Sequence, residues 1–88
     1  MKAILKYPIS GEPEQTIQCR EVARVIHVGV QDNKPFVWVE EEMYSGLFTQ
    51  KKIYLYPTGG PAMIDDTVRY CGTFQLPSGF VGHVYEDK

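Results

Sequence analysis

Basic runs, long apolar runs and paired metal-ligand motifs are all missing from this sequence, and each absence removes a class of function. Lys51-Lys52 is the longest run of positive charge, and nine Lys and Arg stand against eleven Asp and Glu, for a net charge of -2. A protein that neutralises many phosphates needs a basic excess, so direct nucleic-acid binding is not expected, nor is electrostatic attachment to an anionic membrane. No stretch approaches the ~20 apolar residues of a membrane span. The apolar stretch after Met1 is too short for a signal peptide, which makes a cytosol the expected setting. Cysteine is scarce: without a secretion signal, Cys19 and Cys71 read as reduced thiols.

What is present fits one small domain over the 88 residues. A chain of this size has a thin core and gains from pairing with a second copy. Six Tyr, four Phe and one Trp supply much of its apolar area, and each tyrosine hydroxyl needs water or a partner. Both faces of several expected strands are apolar, more than one small core can hide, so a homo-oligomer is expected.

Turn signals divide the chain into short segments rich in β-branched and aromatic residues. Strands are expected over residues 2–7, 15–19, 24–31, 35–41, 51–56, 67–75 and 80–86. In the third, alternation sets Ile26, Val28 and Val30 opposite Val25, His27 and Gly29. Asp32-Asn33 has hairpin chemistry, because both residues tolerate positive φ. The return strand sets Phe36, Trp38 and Glu40 against Val37 and Val39. Residues 42–50 read as an excursion with a turn at Ser45-Gly46, and Pro57-Thr58-Gly59-Gly60-Pro61 as a loop, with room for one helical turn over residues 61–66. The expected fold class is mainly β: a small antiparallel sheet or barrel of about seven short strands.

Few constellations offer chemistry. Successive amides in Thr58-Gly59-Gly60 can hold an anion if they point into one concavity, with Arg69 or Lys51 neutralising it; the same residues also make a plain turn. No Gly-Lys-Ser or Gly-Lys-Thr follows, so this is not a nucleotide-hydrolase phosphate loop. His27, His83, Cys19 and Cys71 have no metal-ligand spacing, and no cofactor is expected. Ser10, Ser45 and Ser78 lie in turns without a nucleophile elbow. The carboxylates of Glu40-Glu41-Glu42, Asp65-Asp66 and Glu86-Asp87 read as solvated faces and tails rather than an acid–base pair. Catalysis is not expected. The aromatics carry more: Tyr54 and Tyr56 share a face, as do Phe36 and Trp38, and as do Val81, His83 and Tyr85. Those not needed in the core are candidates for an interface, or for a platform on which a base stacks.

The chain resembles a family of small proteins encoded by phages and prophages. The resemblance rests on Lys6-Tyr7-Pro8, Gln15-x-Ile17, Ala23-x-x-Ile26-x-Val28-x-x-Gln31, Trp38, Thr58-Gly59-x-Pro61 and Tyr70-x-Gly72-Thr73-x-Gln75. Its most specific part is Gly79-Phe80-Val81-x-His83-Val84-Tyr85-Glu86. The match is weak over residues 40–56 and departs at Gly82, where a bulkier residue is usual. The resemblance brings no catalytic residues. It implies a phage accessory protein in the host cytoplasm, of a kind that commonly counters host defences by binding.

The resulting expectation is an inhibitor that occupies a host defence protein, its aromatics supplying the contacts and its acidic residues steering it to a basic surface. The alternatives are a sponge for a nucleotide second messenger, built on the Thr58-Gly59-Gly60 loop, and a virion assembly protein.

Overall fold

The computed structural model describes residues 1–44 and 46–88. It contains seven strands: β1 (Lys2–Pro8), β2 (Glu14–Arg20), β3 (Ala23–Gln31), β4 (Lys34–Glu42), β5 (Phe48–Pro57), β6 (Val68–Gln75) and β7 (Val81–Asp87). They form two antiparallel sheets, β1-β4-β3 and β2-β5-β7-β6. Inward side chains from both sheets meet in one core: Val25, Val28, Val37 and Val39 from the first, Ile17, Cys19, Ile53, Leu55, Phe74 and Val84 from the second.

Alternation fixes most of this. In β4 Val37 and Val39 are fully buried while Phe36, Trp38 and Glu40 look outward, the period-two pattern of a strand with one face on a core. The β3–β4 hairpin turns at Asp32 and Asn33, both at positive φ (50° and 63°), which suits the right-handed twist of the strands. The excursion expected over residues 42–50 is shorter than the sequence implies, because β4 runs to Glu42 and β5 starts at Phe48. Of its expected Ser45-Gly46 turn, Ser45 lies outside the described residues.

β3 departs from simple alternation. Its register against β4 jumps between Val25 and His27, so Ile26 is an extra residue. Val25 and Val28 therefore both face inward, and Ile26, expected to share a face with Val28, is 41% exposed. A bulge of this kind leaves backbone groups without ladder partners. Here the Val25 N–H donates to Glu86 Oε2 (3.1 Å) and the Val25 carbonyl accepts from the Arg69 guanidinium (2.6 Å). Side chains of β7 and β6 thus stand in for a neighbouring strand where the edges of the two sheets meet.

The reading of the carboxylates as solvated holds for Asp65 and Asp66, which are exposed, and fails for two others. Glu41 and Glu86 are buried, at 0% and 2% exposure. Glu86 is ion-paired to Lys51 (2.8 Å) and to Arg69. Glu41 accepts from the Tyr7 hydroxyl and from the Arg20 N–H (2.9 Å). A buried carboxylate survives only with partners of this kind. The thiols are free and share this polar seam. Burial, and next the charge of Glu86, push the Cys71 thiol up to about 12; burial, and next Glu41, raise Cys19.

No helical turn forms over residues 61–66. β5 and β6 lie parallel on either side of β7, and the chain must travel from the level of Gly82, opposite Pro57, to that of Asp87, opposite Val68. That is roughly 17 Å along the strand at about 3.3 Å per residue, plus about 10 Å across it. A helix rising only about 1.5 Å per residue would use up chain the crossing needs.

Candidate functional site

Outward side chains of the four-stranded sheet line up across strands. One row reads Glu14, Tyr54, Tyr85, Tyr70 through successive register pairs, and a second reads Tyr56, His83, Thr73. Tyr70 meets Tyr85 edge to face, 5.4 Å apart at 64°, and Tyr56 meets Tyr85 in a tilted pair, 5.8 Å apart at 59°. Such tilted pairs hold one another in place beyond their area of contact.

The crossover of residues 58–67 passes over this same face as a strap, because the outward Tyr56 hydroxyl donates to the Met63 carbonyl (3.3 Å). Both ends of the strap are tied down. Thr58 Oγ1 is hydrogen-bonded to His83 Nε2 (2.7 Å), Thr73 Oγ1 to His83 Nδ1 (3.0 Å), and the Tyr70 hydroxyl to Thr73 Oγ1 (2.5 Å). At the other end Asp65 accepts from the N–H and hydroxyl of Thr67, which lower its pKa, and the Lys88 N–H donates to the Thr67 carbonyl (2.9 Å). Tyr54 donates to Asp87 (2.9 Å), and that bond pushes the phenol up to about 12. Between the tethers, Met63 and Ile64 project into solvent, 83% and 51% exposed.

Of the residues singled out by sequence, Tyr54, Tyr56, His83, Tyr85 and the Thr58-Gly59-Gly60 loop come together here. Phe36 and Trp38 do not. They occupy the outer face of the other sheet, where Lys6 lies over Phe36 (4.6 Å to the ring centroid) and His27 against Trp38 (5.2 Å). His27 and His83 thus sit on opposite outer faces and the cysteines inside, so the four do not converge on a metal.

The candidate anion loop folds as a turn that uses one of its amides. The Gly60 N–H donates back to the Pro57 carbonyl (3.3 Å), and Gly59 has φ 81°, the arrangement of a type II turn with glycine at its third position. Arg69 and Lys51 are both engaged by Glu86, on the inner side of the sheet. Neither can neutralise a phosphate on the strap.

Sequence reasoning missed Met63, Ile64, Tyr70 and Thr73. Met63-Ile64 carried a usable signal, two large apolar residues between Pro61 and Asp65-Asp66 in a loop too polar to be a strand. Tyr70 and Thr73 gave none, because their place beside His83 depends on pairing between β6 and β7.

The family described as a domain of unknown function (DUF7352) matches residues 1–88. The chain belongs to that family. The match spans all seven strands and the strap, so strap and sheet fall within one family domain. No curated protein and no solved structure matches the chain. No helix among the described residues is long and apolar enough to cross a membrane.

Proposed function

We propose that this protein is a non-catalytic binding protein that occupies and blocks another protein through the strap on its four-stranded sheet. The observation that carries this reading is the contrast between the tethers and the tip. Hydrogen bonds at the Thr58 hydroxyl, the Met63 carbonyl and the Thr67 carbonyl tie the strap to the sheet, while the Met63 and Ile64 side chains are exposed. A preformed loop loses little conformational freedom on docking, and an exposed Met adapts to irregular apolar pockets. Asp65 and Asp66 adjoin the tip, and Asp87 and Glu14 lie on the same face, where Lys52 is already paired to Glu14 (3.3 Å). This acidic bias suits a partner with a basic surface and would speed the encounter.

The resemblance to phage-encoded proteins supports a defence protein of a bacterial host as that partner, met in the host cytoplasm. The nucleotide sponge has less behind it, since its loop amide and both of its cations are engaged within the fold. Self-association would draw on a separate apolar surface at the far end of the molecule, where Val22, Tyr44, Leu47 and Phe48 are exposed.

The reading is tested by using the tagged chain and its Met63→Asp, Ile64→Asp double variant to capture proteins from lysates of bacteria expressing defence systems. A stoichiometric partner should be held by the parent chain and reduced at least about tenfold in the variant, a loss typical of a central contact, with the melting curve unchanged. Equal capture by both chains would overturn the reading.

A further inference from the structure

At the end of the molecule where β6 turns into β7, the two sheets part around a cleft of ≈ 300 Å³. Ile9, Pro35, Leu55, Phe74, Leu76 and Phe80 line it, together with Ser10 and Gly11, and none of these residues is charged. The walls are fixed by hydrogen bonds. On one side the Gly79 N–H donates to the Leu76 carbonyl and the Leu76 N–H to the Phe80 carbonyl, both at 2.9 Å. On the other the Ile9 N–H donates to the Pro35 carbonyl (3.2 Å), and the Gln15 side chain is bonded to the Ser10 N–H (2.8 Å), the Ser10 carbonyl (3.0 Å) and the Glu12 carbonyl (2.9 Å). The floor is close-fitting. A Cβ on Gly82 would lie 2.6 Å from Leu55 and 2.7 Å from Phe74, so both side chains rest directly on the glycine backbone.

Such a cleft keeps its shape, and its apolar lining lacks contact partners on the open side. The geometry points to a binding site for a small uncharged molecule of bicyclic aromatic size. A cavity of about 150 Å³ lined by apolar side chains accepts benzene, and this one is about twice as large. It lies at the lower end of the range for ligand pockets, so a single fused ring system suits it better than a long acyl chain. The lining has no charged side chain to meet an ionised group, which excludes anions and cations as tight occupants. Ser10 supplies the rim's one hydroxyl, whose oxygen already accepts from the Glu12 N–H (3.2 Å), so its proton is available to a hydroxyl or carbonyl on the guest. This site is at the sheet ends, apart from the strap, and does not depend on the strap's function.

The test is a methyl-detected NMR titration of the intact chain with indole and 2-naphthol, using 2-naphthoate as the charged control. Saturable shifts at the Ile9, Leu55 and Leu76 methyls, with submillimolar affinity for the uncharged probes and at least about tenfold weaker binding of naphthoate, are expected. Phe80→Ala removes a wall at a rim position that is 39% exposed, and should weaken binding about tenfold without unfolding the chain. Gly82→Ala should close the cleft by displacing Leu55 and Phe74; if that variant fails to fold, Phe80→Ala still decides. Shifts that grow linearly to the solubility limit, equal binding of naphthoate, or unchanged affinity in Phe80→Ala would each overturn the proposal.

Discussion

On the three-stranded sheet Phe36 lies under Lys6 and Trp38 against His27, whereas on the four-stranded sheet Tyr56 is bonded to a strap that carries the exposed Met63 and Ile64. Both faces are aromatic. On the first, neighbouring side chains cover the rings, which serve the sheet itself. On the second, three of the four tyrosine hydroxyls are bonded to Asp87, the Met63 carbonyl and Thr73, and one of them, Tyr56, holds another piece of chain. Aromatic content alone therefore does not mark an interface. What distinguishes the two faces is whether the rings hold up something that is itself exposed.

The largest expected effect concerns the seam beneath both faces. Glu86→Ala would leave Lys51 and Arg69 without their buried partner and the Val25 N–H without an acceptor, a loss of about 3–5 kcal/mol in urea denaturation. A change below about 1 kcal/mol would show that the edges of the two sheets are not held together by this carboxylate.

Trp38→Ala comes next. The ring is half-buried, so about 2 kcal/mol of stability should go, below the 3–5 of a fully buried aromatic, while capture of the partner survives. Loss of capture with stability intact would reverse the roles assigned to the two faces.

His83→Ala should cost less, about 1 kcal/mol, because its two bonds to Thr58 and Thr73 are at the surface. Its signature is local: hydrogen exchange of the Thr67 and Lys88 amides should stay slow while the Thr58 end of the strap opens. Uniform loss of protection would mean that the strap is not tethered separately at its two ends.

The smallest effect is a titration. Tyr54 should hold its proton to about 12, and Asp87→Asn should bring it back toward 10 in an absorbance titration. The sign follows from the raised value in the fold: the bond contributes fully below pH 10, and that contribution fades as the pH climbs through 12. An unchanged phenol in Asp87→Asn would remove the bond from the account.

How much of this could be read in the sequence depended on the range of the cause. Strands β4, β5 and β7 are legible, because their alternation is a property of consecutive residues and nothing interrupts it. In β3 the alternation puts Ile26 on the face of Val28, but the bulge at Ile26 shifts the phase, and the groups that accommodate it, Glu86 and Arg69, are far along the chain. For the same reason Glu41 and Glu86 looked like solvated charge: nothing near them in sequence announces Tyr7, Lys51 or Arg69. The tyrosine side of the site was visible as residues but not as a place. Only the pairing of β5 and β6 on either side of β7 turns a Gly-Pro loop into a strap across Tyr56.

The most direct test of the strap as the binding element is a photo-crosslinking comparison with benzoylphenylalanine placed at position 64 in one chain and at position 36 in another. The account predicts a partner adduct from position 64 and none from position 36. An adduct formed equally from position 36, or only there, would contradict it and move the interface to the three-stranded sheet.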